Sequence, residues 1–497
     1  MQVAKMIFFS AVLAWRHARD DPRRALRLAV RLALRAAPAR TRPRLAKWTK
    51  PTPKSNETHA LEELLTTPRA AAPPRAAAER VRGPLTMPEH GEGPPHTERQ
   101  PTRVLHFVTN ALPATQAGYT VRTQRIVCAQ RELGLEPHVV TRLGYPLAQG
   151  IGDARAEVAV DGIPYHRLLP WLPARGPVRE IRKAADLAGH LVERLRPSVL
   201  HAASNHLNAA VALELRDRYG VPVAYEVRGF LEDSWLSRDP ARTESDEFYR
   251  LTREVETARM RAADLVVTLG EAMREEIESR GVDNVLVVPN AVDDSFLEPL
   301  PDGAKLRAEL GIAPGDVVVG LTSTFYGFEG IATLIEAAAL RRDFTLLLVG
   351  DGPERPALER RAAELGVPAV FTGRVPVDQV RRYQAVLDVF AVPRTADRVC
   401  RLVTPLKPLE AMAGAIPVIA SDVRALREII EPGVTGTLTV PEDPEAWANC
   451  LDQLIYSPKT RGEIGQAGRE WVAQYRTWRA VTARYLDRYR EIASTAS

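Results

Sequence analysis

Apolar runs of three to five residues, each ending in a turn and followed by a helical stretch, dominate the second half of this chain. Leu346-Leu347-Leu348-Val349 runs into Gly350-Asp351-Gly352-Pro353-Glu354, and Ala369-Val370-Phe371 into Thr372-Gly373-Arg374. Val389-Phe390-Ala391-Val392 runs into Pro393-Arg394 and on to Thr404-Pro405-Leu406-Lys407-Pro408-Leu409-Glu410. A strand that is apolar at every position is covered on both faces, the situation of a parallel sheet between layers of helices. Ligands of such sheets sit beyond the carboxyl ends of the strands, where these turns fall. The pattern predicts an α/β protein whose C-terminal half holds a nucleotide.

The first half repeats the alternation. Strands are expected at 104–108, 139–141, 198–201, 221–226, 265–268 and 285–288, with helices between them at 119–133, 181–195, 207–219, 244–261 and 271–279. The pattern restarts at Val317-Val318-Val319-Gly320-Leu321 and continues to strand Ile416–Ala420, after which helices finish the chain. This βα alternation predicts two Rossmann-like, doubly wound domains facing a cleft. The expected division is a basic tail at 1–50, a Pro/Ala-rich linker at 51–101, an N-terminal domain at 102–300, a C-terminal domain at 301–475 and a crossing helix at 476–497.

Charge separates the tail from the body. Residues 1–50 hold 13 Lys and Arg against Asp20 and Asp21, a net of +11. The whole chain is +5, so residues 51–497 carry −6. A mildly acidic body gives no basic footprint for nucleic acid. The apolar run Met6–Trp15 is ten residues long, half of the ~20 a membrane-spanning helix needs, and Arg16-His17-Ala18-Arg19 follows it in place of a small-residue cleavage site. Leu26, Val30, Leu32 and Leu34 alternate with Arg23, Arg27, Arg31 and Arg35. Residues 1–40 therefore read either as an unstructured basic tail or as an amphipathic helix in peripheral contact with an anionic membrane. Three widely spaced cysteines, Cys128, Cys400 and Cys450, argue against a disulfide framework and a structural zinc site, and fit a reducing cytoplasm or the inner face of the membrane.

Several segments, taken in order, resemble the GT-B fold glycosyltransferases, specifically the retaining enzymes of family 4. They are Val287-Val288-Pro289-Asn290-Ala291-Val292-Asp293, Val349–Glu354, Leu409–Asp422 and Glu431-Pro432-Gly433-Val434-Thr435-Gly436, with Gly118-Tyr119-Thr120-Val121-Arg122-Thr123 and Tyr225-Glu226-Val227-Arg228-Gly229 in the first half. The resemblance spans roughly residues 103–492. It implies a hexosyltransferase working with retention and without an obligatory metal or cofactor. A UDP- or GDP-sugar donor would lie on the C-terminal domain, and an acceptor, whether glycan, lipid or small molecule, on the N-terminal one. It also implies that a C-terminal helix crosses back to the N-terminal domain.

By the same resemblance, Glu410 accepts the ribose hydroxyls, Thr404 and Leu406 flank the diphosphate, and Gly373, Arg374 and Val375 meet the base. Gly118 and Gly350 allow close backbone approach. An anion at the start of the helix bearing Glu410 also suits the exposed amides there. Departures from the family pattern shape the remaining expectations. Glu329 stands where a Lys usually follows the first C-terminal strand, so the leaving diphosphate needs other cations. Arg394, Arg398, Arg401 and Lys407 are the nearest, with Arg401 and Lys407 the chosen pair. Leu402 replaces the first of two glutamates spaced eight apart, leaving Asp397 as the carboxylate in reach. The usual His-x-His strand end reads His201-Ala202-Ala203, which makes His201 the catalytic candidate or else a buried structural histidine. Glu226 and Arg228 are expected either to bind the acceptor or to brace their loop. Glu232-Asp233-Ser234-Trp235 reads as a sugar-binding wall or, more simply, a solvated loop. Two rival readings remain: a sugar-nucleotide epimerase of the same fold, and a non-catalytic sugar-nucleotide-binding scaffold.

Overall fold

A computed structural model of the chain describes residues 55–66, 102–341 and 343–495. The basic tail and most of the 51–101 segment lie outside the described residues. Ser55–Thr66 corrects the linker reading where it falls: it is a helix, with Leu61 and Leu64 buried in the N-terminal core. Leu61, Leu64 and Leu65 share one helical face, a short apolar stripe that Pro- and Ala-rich flanks obscure. This helix packs on helices Glu247–Ala262 and Pro177–Leu195. Its last turn offers the Leu64 carbonyl to the buried Arg259 guanidinium (3.3 Å).

Fourteen strands follow in two sheets. The first holds β1 (Arg103–Val108), β2 (Glu136–Thr141), β3 (Glu157–Val160), β4 (Ile163–Arg167), β5 (Val199–Ala203), β6 (Val223–Val227), β7 (Leu265–Thr268) and β8 (Val285–Val287), in the order β3-β4-β2-β1-β5-β6-β7-β8. The second holds β9 (Val317–Thr324), β10 (Phe344–Asp351), β11 (Ala369–Gly373), β12 (Val389–Val392), β13 (Val418–Ser421) and β14 (Thr437–Thr439), in the order β11-β10-β9-β12-β13-β14. All pairs are parallel except β3 with β4. That hairpin, turned at Asp161-Gly162 with both residues at positive φ, has no apolar run to announce it. In both sheets the strand order reverses beside the first strand, at β1/β5 and at β9/β12. There the βα loops part and leave a crevice at the carboxyl edge.

The two domains are tied at their base. The Pro458–Tyr475 helix belongs to the C-terminal core through Ile464 and Val472. The chain then crosses at Arg476 and Thr477, where Val292 N–H donates to the Arg476 carbonyl (2.8 Å). Trp478, Tyr485, Tyr489 and Ile492 bury against Val104, Ile126, Val199 and Leu265 of the first domain. The expected return of the C-terminal helix is present, and these aromatic residues are its packing face. A Leu64→Ala substitution is expected to cost about 2–4 kcal/mol in urea unfolding followed by fluorescence. An unchanged midpoint would show that helix Ser55–Thr66 is no part of the N-terminal core.

Candidate active site

The segment between β12 and β13 carries most of the candidate donor residues. Thr404 is buried and its carbonyl accepts from Asn290 Nδ2 (2.8 Å). Pro405 keeps the chain extended before it enters helix Lys407–Ala413. Glu410 sits in the first turn of that helix and pairs with Lys407 Nζ (2.9 Å). From the opposite domain, Gly118 opens helix Gly118–Glu132 with only its missing Cβ between it and Leu406; a Cβ there would lie 3.8 Å from Leu406 Cδ1. The fold thus sets Gly118 against Leu406, on the segment that carries Thr404, Lys407 and Glu410.

The other donor candidates lie at neighbouring strand ends. Gly373 closes β11 at φ 74°, followed by exposed Arg374 and half-buried Val375. Gly350 ends β10 at φ 146°, and a Cβ there would fall 1.8 Å from the Ser323 carbonyl oxygen. Gly330 is equally constrained, with a would-be Cβ 1.8 Å from the Pro393 oxygen. Both glycines let the 323–330 loop press against its neighbours. At Gly350 the contact is with protein, so close packing of the loop explains the residue without a ligand.

The basic loop sorts itself by partner. Arg394 is taken by Glu329 (3.3 Å) and the Val403 carbonyl (3.0 Å). The acid at the usual Lys position therefore neutralises an Arg across the β9/β12 crevice. Arg398 points to the other domain, bonding both Asp233 oxygens (3.0 and 3.2 Å) and Glu276 (2.5 Å). Arg401 is exposed and makes no ion pair among the described residues. Asp397 is exposed, accepts from the Thr395 hydroxyl (3.0 Å) and precedes helix Arg398–Leu402. Leu402, at the family's glutamate position, is buried in the hydrophobic core of the N-terminal domain.

His201 and Glu226 need correction as substrate-contacting residues. Both are fully buried. His201 Nδ1 meets the Tyr489 hydroxyl (2.7 Å) and Nε2 meets Glu226 Oε2 (3.1 Å), so neither nitrogen is open to a substrate. Glu226 accepts from Arg122 Nε and Nη2 (3.0 and 2.7 Å) and from Arg228 Nε and Nη2 (2.9 and 2.6 Å). Arg228 spends its third nitrogen on the Tyr119 carbonyl and the Thr123 hydroxyl (2.9 and 2.7 Å). The bracing reading, and not acceptor binding, describes this pair. The residue that sequence reasoning passed over is Arg122. It lies inside the Gly118–Thr123 segment, and it also donates to Val288 O, Pro289 O and Asn290 Oδ1.

Glu232 and Asp233 are likewise no solvated loop. They sit buried in helix Leu231–Leu236, with Arg280 Nη1 on Glu232 (2.9 Å) and the Tyr249 hydroxyl on Asp233 (2.9 Å). Burial pushes the Glu232 carboxyl up to about 7 despite Arg280.

In the N-terminal domain a cavity of about 60 Å³ opens at the β1/β5 reversal. Phe107, Val140, Leu168 and Ile181 form its apolar wall, and Thr109, Arg142 and Asn208 bring polar groups. Strand-end positions at a sheet reversal are the sequence signal that would have marked it. Among the described residues no three His, Cys, Asp or Glu side chains converge as a metal site.

Two family profiles match the chain. "Glycosyl transferase 4-like domain" covers residues 117–291, and "Glycosyl transferases group 1" covers residues 316–457. A sulfoquinovosyl transferase of Arabidopsis thaliana is 27% identical over 409 residues, spanning 78% of this chain and 74% of its own. A D-inositol 3-phosphate glycosyltransferase of Nocardia farcinica is 28% identical over 395 residues, spanning 72% and 82%. In three dimensions the chain is similar to sucrose-phosphate synthase from Thermosynechococcus elongatus, with a TM-score of 0.64 at 21% identity over 79% of this chain and all of that one. It is also similar to HepE of Anabaena in complex with UDP, with a TM-score of 0.62 at 20% identity over 78% of this chain and all of that one. At such identities the likeness is one of fold.

The Glu226 cluster yields a test of its own. Burial raises its carboxyl, but Arg228, Arg122 and His201 outweigh burial and hold it well below the usual carboxylate range. A depressed folded pKa gives stability that is complete above the unfolded value of ~4.3 and is lost as pH falls toward the folded one. Glu226→Gln leaves the buried Arg122 and the half-buried Arg228 short of charge and should cost about 3–5 kcal/mol at neutral pH. Urea unfolding at neutral and acid pH should show the gap to wild type narrowing in acid; a pH-independent gap would contradict the charge-paired cluster.

Proposed function

Because the chain belongs to the GT-B glycosyltransferases of the family-4 type, we propose that it transfers a hexose from a UDP- or GDP-sugar to an acceptor on the N-terminal domain, with retention at the anomeric carbon. The observation that carries this reading is the Thr404–Glu410 segment, set at the β9/β12 reversal and faced by Gly118. In this reading Glu410 exchanges its Lys407 partner for the ribose hydroxyls, which frees Lys407 for the diphosphate. Arg401, uncommitted in the cleft loop, adds the second cation where leaving-group charge develops. Asp397 takes a sugar hydroxyl in place of the missing glutamate. The backbone around Gly373, Arg374 and Val375 lies along the base.

The departing diphosphate oxygen accepts the acceptor's proton on the same face of the sugar, so no protein base is needed and the burial of His201 is no obstacle. The chemistry requires no metal. The cavity lined by Phe107 and Thr109 supports an acceptor that places an apolar part there, and the +11 tail supports peripheral contact with an anionic membrane. A second reading, binding without transfer, draws on the Glu329–Arg394 pair and on Leu402.

Calorimetric titration of the full chain with UDP and GDP should show binding of one nucleotide. Glu410→Ala should weaken it about 10- to 100-fold, the worth of a hydrogen bond to a charged group. No binding of either nucleotide would remove the donor site. Hydrolysis of the matching nucleotide-sugar, measured without acceptor and with EDTA present, should fall about 100-fold or more in Arg401→Ala. Absence of hydrolysis in the wild type would favour the binding-only reading.

A further inference from the structure

The candidate donor loop is anchored on the opposite domain. Helix Arg398–Leu402 runs into Val403 and Thr404 without a break. It packs on helix Arg424–Arg427 of its own domain, and Cys400 Sγ donates to the Phe328 carbonyl (3.3 Å), but it also packs on helices Leu231–Leu236 and Glu271–Ser279 of the N-terminal domain. Arg398 reaches Asp233 and Glu276. Asp233 is buried in helix Leu231–Leu236 and accepts from Tyr249 as well. Glu276, in helix Glu271–Ser279, also accepts from Arg253 (2.7 Å) and Arg280 (2.9 Å). Leu402 joins the N-terminal core, and Val403 packs against that core with its Cγ2 only 3.9 Å from where a Cβ on Gly229 would lie. Two further bonds pass the position on: Arg394 donates to the Val403 carbonyl, and Asn290 Nδ2 to the Thr404 carbonyl. The first residue of the loop is thus held from the N-terminal side before Lys407 and Glu410 are reached.

We infer that Arg398 is a positioning residue for the donor loop. Its docking on Asp233 and Glu276, together with Leu402, makes the closed arrangement of the domains and the ligand-competent arrangement of Thr404–Glu410 a single equilibrium. This rests on the donor site proposed above. The physical reason is the geometry of the pair. Arg398 is the one C-terminal cation bonded to the buried Asp233–Glu276 cluster among the described residues, and a five-residue helix is too short to bend between its anchor and the loop. Separation of the domains returns Arg398 to water and leaves Asp233, still bonded to Tyr249, without this cation. The same separation withdraws Leu402 and drags the loop from its place opposite Gly118. The position that carries a glutamate in the family serves here as an apolar anchor to the other domain.

The test compares full-length wild type, Arg398→Gln and Leu402→Ala by small-angle scattering without ligand and by calorimetric titration with the nucleotide that the wild type binds. Both variants are expected to show a larger radius of gyration and an affinity about 5- to 150-fold weaker, the usual span of a coupling between two sites. Arg398→Lys, which keeps charge but loses the two-pronged contact, should fall between wild type and Arg398→Gln, and it decides the matter if Arg398→Gln does not fold. Unchanged radius and affinity would overturn the inference. So would either change without the other, since weaker binding in an undisturbed shape means a local effect and an open shape with full affinity means an independent loop. A wild type that binds no nucleotide would remove the donor site and with it the coupling, whereas the scattering comparison still scores the docking by itself.

Discussion

The structure turns on one buried guanidinium. Arg122 donates all five of its N–H groups: two to Glu226 and one each to Val288 O, Pro289 O and Asn290 Oδ1. Its flat face lies over Trp478, 5.6 Å from the ring centre. A charge with so little contact with water is tolerable only when its donors are satisfied and its counter-ion is close. That requirement fixes four pieces of chain at once: the first helix of the N-terminal domain, the end of β6, the linker between domains and the returning C-terminal segment. Asn290 then extends the constraint to Thr404. The position of the Thr404–Glu410 segment thus descends, bond by bond, from the satisfaction of one arginine.

A second buried chain of polar groups runs beside it. His106 meets Gln130, Gln130 meets Tyr489, Tyr489 meets His201, and His201 meets Glu226. These side chains come from β1, the first helix, the C-terminal helix, β5 and β6. Burial holds both histidines below their ordinary pKa. Their bonds fix the crossing helix on the sheet. Around the cleft the charges are redistributed and not lost. Glu329 neutralises Arg394, Arg398 crosses to the other domain, Lys407 pairs with Glu410, and Arg401 stays exposed.

Much of the fold was legible in the residues. The apolar runs of β9, β10, β12 and β13 are covered on both faces, and such strands leave little choice of architecture. The β3–β4 hairpin and helix Ser55–Thr66 were not legible, because β3 is half-exposed, β4 buries polar His166 and Arg167 among its apolar residues, and the helix shows a single turn of apolar stripe between Pro-rich flanks. Of the candidate site, Glu410, Thr404 and Gly118 stand at strand ends and helix starts, and the fold sets Gly118 against the segment that carries the other two. His201, Glu226 and Arg228 occupy equally suggestive places, yet they face inward. A strand end tells which edge of the sheet a residue approaches, but not whether another segment covers it, and here Tyr485 and Tyr489 do.

By itself the sequence determined two doubly wound sheets, the cleft between their carboxyl edges and the family, because hydrophobic periodicity and turn spacing are local properties. Only the tertiary structure decided which of its many arginines and carboxylates remain available. Ion-pair partners are chosen across 100 residues or more, as Arg122 chooses Glu226 and Arg398 chooses Asp233. The free energy of each choice depends on burial and on distances of a few ångströms, and no spacing along the chain encodes either.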